Sequence, residues 1–166
     1  MEQKTPSELS SDDQSNYISD KHIRTMHGRN YYSQAGQDLF VLSMLEGKKN
    51  GSYIEIGGAD PFESNNTFLL EKDYFWKGFS VEFDELLASR YNSMRVNSCI
   101  CVDATIFDYR SQLKTLNFPT QIDYLSVDID PAENTYLALK KCPFDGYRFS
   151  VITFEHDLYV SGTKYA

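Results

Sequence analysis

The sequence has no long apolar run and no cluster of positive charge. None of its apolar stretches approaches the roughly 20 residues that a membrane-spanning helix needs. The chain has 16 Lys and Arg against 24 Asp and Glu, a formal net charge of −8, and its basic residues form nothing larger than pairs such as Lys48-Lys49 and Lys140-Lys141. Because nucleic acids and anionic membranes attract cationic surfaces, we predict neither as a partner.

Cysteine is also scarce, with three residues and no CxxC motif. Cys99 and Cys101 lie two positions apart in a strand-like segment, where they would share one face, and Cys142 is distant from both. This spacing favours core filling over a metal site. The N-terminal segment lacks the basic and apolar regions of a signal peptide, so we predict a protein of the reducing cytoplasm.

Two phosphate-binding motifs are missing as well. No GxxxxGK[ST] segment occurs, which excludes a P-loop, and GGADP at residues 57–61 breaks the GxGxxG dinucleotide pattern. The acid at Asp60 would moreover repel a pyrophosphate. The sequence therefore argues against cofactors that are held by their phosphates.

The pattern over residues 31–166 predicts a single α/β domain, and residues 1–30 form a polar segment that we predict to be a flexible arm. Strands are predicted at 52–57, 78–83, 98–103, 122–128 and 147–155. Helices are predicted at 33–47, with Ser33 as the cap, and at 65–72, 84–93, 107–116 and 132–141. Because strands alternate with helices, we predict a Rossmann-like, doubly wound, mostly parallel sheet that binds its ligand at the carboxyl ends of the strands.

Each predicted strand ends in acidic residues. The series consists of Glu55, Asp60, Glu82, Asp84, Asp103, Asp128, Asp130, Glu155 and Asp157. Parallel strands end at one edge of a sheet, where clustered carboxylates repel one another unless the ligand is a cation or is rich in hydroxyls. Glu82 follows the second strand, where an acid accepts hydrogen bonds from a ribose. We therefore predict an adenosine ligand with a positive centre and no phosphate, a description that fits S-adenosylmethionine.

The order of six segments resembles that of the FkbM family of S-adenosylmethionine-dependent methyltransferases. The segments are YSQAGQDLFVLSML, GSYIEIGGADPFESNNTFLLE, WKGFSVEF, VDAT, IDYLSVDIDPAEN and ITFEHD. The resemblance implies a class I methyltransferase fold and O-methylation of a sugar or small-metabolite hydroxyl. The cofactor contacts that it implies are Glu55, Gly57, Gly58, Asp60, Glu82, Asp103 and Ala104.

The sequence departs from this family at two prolines and at its end. Pro61 and Pro131 stand where glycine is usual, which restricts the backbone. Methyltransferases of this fold usually add two strands after the fifth, and no sequence follows for them. We therefore expect those strands to be missing and the fifth strand to be an open edge, through which the chain could form a homo-oligomer.

The chemistry expected at this edge is removal of a proton from an acceptor hydroxyl. His156 is the first candidate base, and Asp128 is a further catalytic candidate. Nearby acids could also bind Mg²⁺, which would lower the pKa of the hydroxyl. The predicted metal ligands are Asp128, Asp130, Glu155 and Asp157.

Two other functions stay open. A metal-dependent glycosyltransferase could use Asp128 and Asp130 as a DxD site, although basic residues for a nucleotide diphosphate are scarce near that edge. A truncated methyltransferase-like domain could instead be a non-catalytic binding or interaction module, which the two prolines and the missing strands favour.

Overall fold

The computed structural model describes residues 23–26, 28–156 and 162. It begins with a short antiparallel hairpin of β1 (Arg24–Met26) and β2 (Arg29–Tyr31). The Arg24 guanidinium donates to the Ser33 carbonyl at 2.8 Å and so ties the hairpin to the domain. The sequence did not predict this hairpin, because its polar residues show no apolar alternation. The rest of the predicted arm, residues 1–22, lies outside the described residues.

The domain is built on a five-stranded sheet in which all strands are parallel, as the alternating pattern predicts. The strands are β3 (Ser52–Ile56), β4 (Lys77–Glu82), β5 (Ser98–Cys101), β6 (Gln121–Val127) and β7 (Arg148–Phe154). Their order is β5-β4-β3-β6-β7. The chain therefore winds outward from β3 in both directions, and the switch point lies between β3 and β6.

Five helices within the described residues connect and cover the strands. They are α1 (Gln37–Met44), α2 (Phe68–Tyr74), α3 (Glu85–Met94), α4 (Tyr109–Thr115) and α5 (Ala132–Lys141). Asp84 caps α3 by accepting from the backbone N–H groups of Leu86 and Leu87, so this helix begins where the sequence predicts. No helix in the described part of the chain is long and apolar enough to cross a membrane.

Two helices begin three or four residues later than predicted. Ser33 is not the cap residue of α1, because Gly36 holds that position in a left-handed conformation (φ 79°). The Ser33 hydroxyl instead donates to the buried Asp38 carboxylate at 2.6 Å and accepts from the Asp38 N–H in the first turn at 3.4 Å. Residue 65 does not start α2, because the Asn65 side chain accepts from the Phe68 N–H at 2.8 Å and closes a turn. In both cases a polar side chain bonds locally and delays the helix.

Helices cover both faces of the sheet. On one face α4 and α5 pack on a cluster that includes Ile54 and Leu125, which are partners across β3 and β6. On the other face α1 and α2 pack on a cluster that includes Tyr53 and Tyr124, the adjacent partners. This double coverage explains why the strands are apolar at most positions.

The cysteines fill the core only in part. Cys99 and Cys142 are buried, as predicted, but Cys101 is exposed. Cys101 is the last residue of β5, which is an edge strand of the described sheet. The prediction of core filling is therefore wrong for Cys101.

Candidate functional site

A cavity of about 660 Å³ lies at the carboxyl ends of the strands and spans the switch point between β3 and β6. Its walls include seven of the residues that the sequence predicts for the site. These are Gly57, Gly58, Glu82, Asp103, Ala104, Asp128 and Asp130. The βαβ topology thus brings together residues that lie far apart in the sequence.

The charged residues that line this cavity are all acidic. The acidic side chains are Glu82, Asp84, Asp103, Asp128 and Asp130. Among the described residues, no Lys, Arg or His lines the cavity. Such a wall attracts a ligand that carries positive charge or donates hydrogen bonds, and it repels phosphate.

The loop after β3 is shaped by a close approach of two backbones. Gly57 has a φ of +93°, and a side-chain carbon added there would lie 1.8 Å from the Asp128 carbonyl oxygen. The backbone N–H groups of Gly57 and Gly58 both donate to the Val81 carbonyl, at 2.9 and 3.1 Å. Only glycine fits at position 57, and the absence of its side chain lets β3 and β6 meet at the switch point.

Glu82 is held rigidly at the end of β4. One carboxylate oxygen accepts from the Ala59 N–H at 2.8 Å, and the other accepts from the Asp84 N–H at 2.9 Å. Each carboxylate oxygen has two lone pairs, so Glu82 can still accept hydrogen bonds from a ligand. The backbone therefore orients the acid that the sequence assigns to a ribose.

Asp103 follows β5 and is fixed by its neighbour Thr105. The hydroxyl and the backbone N–H of Thr105 donate to the same carboxylate oxygen at 2.7 and 2.8 Å. These two hydrogen bonds hold the pKa of Asp103 below its usual value, so it is ionised at neutral pH.

Sequence reasoning missed Phe83, which lines the cavity beside Glu82 with 77% of its surface exposed. Its signal was an aromatic residue directly after a strand-end acid.

Glu55 does not line the cavity. Only 1% of its surface is exposed, and one oxygen accepts from the Ser80 hydroxyl at 2.6 Å and the Tyr91 hydroxyl at 3.2 Å. Burial raises the pKa of Glu55, and the charge of Arg95 and these hydroxyls only partly offset that rise. Glu55 points to the α1–α3 side of the sheet, in register with Ser80 on β4. The structure therefore separates Glu55 from the acids that line the cavity.

Asp60 also lies outside the cavity walls. One of its oxygens accepts from the N–H groups of Phe62 and Glu63, both at 2.9 Å, and the other pairs with Arg90. These bonds close the turn that follows the glycines. Asp60 therefore shapes the loop after β3.

The side chains of Arg95 and Asn65 hold the loop after β3 in place. The Arg95 side chain has no exposed surface and donates to the Pro61 carbonyl at 2.9 Å and to Asn65 at 3.1 Å. Asn65 donates in turn to the carbonyls of Gly58 and Asp60, at 3.1 and 3.2 Å. The loop that carries Pro61 is thus fixed by side-chain hydrogen bonds, which the sequence pattern did not reveal.

A second, small cavity of about 80 Å³ adjoins the first. Its walls are Gln37, Asn66, Val127, Asp128, Thr153, Phe154 and Glu155. Asn66 and Asp128 line both cavities. His156 lies two residues after β7 and is not among the residues that line either cavity.

The predicted Mg²⁺ ligands are divided between these places. Asp128 and Asp130 line the larger cavity and Glu155 lines the smaller one, whereas Asp157 lies outside the described residues. Within residues 23–26, 28–156 and 162, no group of three or more His, Cys, Asp or Glu side chains could hold a metal ion. The Mg²⁺ site stays a prediction.

Comparison with known proteins identifies no family for this chain. No family model matches the chain, and no curated protein is significantly similar to it. The resemblance to the FkbM family therefore stays a prediction.

Proposed function

We propose that this protein is a methyltransferase that uses S-adenosylmethionine. The observation that carries the proposal is the larger cavity, which has five acidic residues and, among the described residues, no basic one. It lies at the switch point of a parallel sheet, where open α/β folds bind their ligands. A cation with ribose hydroxyls and no phosphate suits these hydrogen-bond acceptors, and the sequence resemblance suggests transfer to a hydroxyl of a sugar or small metabolite.

The residues around the cavity have separate roles in this proposal. S-adenosylmethionine supplies a methyl group bound to positively charged sulfur. Glu82 accepts hydrogen bonds from the ribose, and Asp103 accepts one from the amino group of the adenine. Phe83 offers an exposed aromatic ring as an apolar neighbour for the base. Gly57 and Gly58 allow the backbone to approach the ligand closely.

Asp128 is our first candidate to take the acceptor proton. It directly follows β6 and lines both cavities, so this residue lies between the space proposed for the cofactor and the space beside it. His156, two residues after β7, remains the alternative base. A carboxylate at this position can accept the proton as the hydroxyl reacts.

Calorimetric titration tests the cofactor directly. We expect S-adenosylmethionine and S-adenosylhomocysteine to bind in the micromolar range and UDP-glucose not to bind, with or without Mg²⁺. Glu82→Gln should weaken both adenosyl ligands by about tenfold or more, because it removes a charged acceptor. Glu85→Gln is the matched control, since Glu85 is exposed on α3 and does not line the cavity.

Each alternative function predicts a different result in this experiment. Binding of UDP-glucose that depends on Mg²⁺ would favour a glycosyltransferase. If neither adenosyl ligand binds, the methyltransferase proposal is abandoned. Binding of the cofactor without methyl transfer to any of a panel of sugars and small alcohols would favour the non-catalytic module.

A further inference from the structure

Asn66 presents a buried polar atom that has no partner in the described protein. Only 5% of its surface is exposed, and its side-chain nitrogen donates to the Ser126 hydroxyl at 3.0 Å. Its side-chain oxygen, Oδ1, accepts no hydrogen bond from any described residue. Buried acceptors are nearly always satisfied in native proteins, so this oxygen indicates a group that approaches from outside the fold.

The position of Asn66 indicates where that group would lie. Asn66 and Asp128 line both the larger cavity and the cavity of about 80 Å³ beside it. The smaller cavity also has Glu155 in its wall and, among the described residues, no Lys, Arg or His. Both the unpartnered oxygen and the charge of this wall favour a group that donates a hydrogen bond.

The size of the smaller cavity limits the group further. At about 80 Å³, the smaller cavity has roughly one eighth of the volume of the larger one. So small a space suits a short group such as hydroxymethyl better than a whole sugar ring. The rest of a larger molecule would have to remain outside, with one short arm inserted.

We propose that the smaller cavity is the acceptor subsite and that it takes a hydroxyl group on a short arm. Asn66 Oδ1 accepts the hydrogen bond of that hydroxyl and orients it beside Asp128. This inference rests on the proposed methyltransferase function, in which the larger cavity holds the cofactor. It makes Asn66 a substrate-binding residue and predicts a primary alcohol as the methyl acceptor.

Nuclear magnetic resonance of the full, nitrogen-15-labelled chain tests this subsite without any turnover. The side-chain amide of Asn66 is followed during titration with ethanol and, separately, with its isomer dimethyl ether, which cannot donate a hydrogen bond. Ethanol should shift the Asn66 signal in a saturable manner with a dissociation constant in the millimolar range, as a ligand of three heavy atoms allows. Dimethyl ether should bind at least about fivefold more weakly, because it leaves Oδ1 unpaired.

The spectrum contains its own control for the effect of solvent. Asn92 on α3 donates through its side-chain amide to the Cys99 carbonyl at 2.8 Å and lines neither cavity. Its signal should not saturate with either probe. Equal responses of Asn66 to the two isomers, or a response no larger than that of Asn92, would overturn the proposal.

Two variants extend the test. Asn66→Asp keeps an acceptor oxygen at the cavity while the Ser126 hydroxyl can donate to the other oxygen, so the preference for ethanol should persist. Asn66→Leu has a similar shape without polar atoms, so this variant should bind ethanol no more tightly than dimethyl ether. Because it lacks the side-chain amide of Asn66, its binding is followed at the backbone amide of Asp128. A folded Asn66→Leu protein that still prefers ethanol would contradict the proposal.

The two proposals can fail separately. Calorimetric binding of S-adenosylhomocysteine without an ethanol response at Asn66 would reject the acceptor subsite and leave the cofactor site standing. An ethanol response without binding of either adenosyl ligand would leave a hydroxyl-binding site and reject the methyltransferase.

Discussion

Two glutamates on neighbouring strands, Glu55 and Glu82, show how burial changes the role of one side-chain type. Glu82 is partly exposed at the cavity and is oriented by backbone N–H groups. Glu55 is buried beneath the loop, and its neighbours are the hydroxyls of Ser80 and Tyr91. Burial disfavours the charged form, so the pKa of Glu55 is raised above its usual value near 4.5. The folded state therefore favours the protonated form of Glu55 more than the unfolded chain does.

The raised pKa of Glu55 predicts how stability depends on pH. The folded state holds the proton more tightly than the unfolded chain, so its contribution is full below about pH 4.5 and declines as the pH rises through the folded pKa. Glu55→Gln cannot ionise and escapes this decline. Urea unfolding at a series of pH values should show the variant gaining stability relative to the wild type over that window, with no change in the difference below it. Parallel profiles would contradict this, and Glu85→Gln, at an exposed site, provides the control.

The segment between β3 and α2 owes its shape to a side chain from the end of α3. Arg95 directly follows α3, stacks on the rings of Phe68 and Tyr91, and pairs with Glu71 of α2 at 3.0 Å. Burial alone would raise the pKa of Glu71, but the charge and hydrogen bonds of Arg95 hold it below the usual value. The pair is therefore ionised, and it joins α2, α3 and the loop that lines the cavity.

Removing one member of this pair should be costly. Arg95→Met would leave the largely buried Glu71 carboxylate without a cation and should lower the free energy of unfolding by about 3–5 kcal/mol. Arg110→Met is the matched control, because the Arg110 and Asp145 side chains are 38% and 80% exposed and such pairs contribute about 0–1 kcal/mol. Urea denaturation of both variants measures the difference. Equal losses would show that the buried pair does not hold the loop.

The sequence predicted the framework of this site better than its details. β6 is buried at six consecutive positions, 122–127, and the apolar residues among them (Ile122, Tyr124, Leu125 and Val127) lie on both faces of the strand, which signals a central parallel strand without any knowledge of its partners. The same pattern could not show that Glu55 faces the helices, because strands covered on both faces lose the alternation that distinguishes inside from outside. The bond between Arg95 and Asn65 joins residues 30 positions apart, and no local motif announces it. The cluster of acids at the strand ends was predictable, because parallel strands place their carboxyl ends at one edge of the sheet.

The negative charge of the protein extends into its larger cavity. The formal net charge is −8, and five acids line the cavity walls. Clefts walled by protein concentrate the field of such charges, which raises the local concentration of cations and lowers that of anions. The charge of the protein and the charge of its cavity therefore select the same kind of ligand.

This field predicts a dependence on salt that distinguishes two nearly identical ligands. S-adenosylmethionine carries a positive sulfur that S-adenosylhomocysteine lacks, so only the first gains from the field. The screening length falls from about 30 Å at 0.01 M salt to about 3 Å at 1 M. The ratio of the two affinities, measured by calorimetry, should therefore shift toward S-adenosylhomocysteine as salt is added. A ratio that is unchanged by salt would show that the acids do not act on the sulfur.

The two neighbours of β3 lie at different distances along the chain, which predicts the order in which they pair with it. β3 contacts β4 through residues that are near in the chain, such as Glu55 and Ser80, 25 positions apart. Its other neighbour is distant, since the Ser52 N–H donates to Asp123 across 71 positions. Closing that long loop costs more entropy, so the pairing of β3 with β6 is expected to follow the pairing of β3 with β4. Because the larger cavity spans this contact, a ligand that needs the whole cavity is expected to bind only after β3 and β6 have paired.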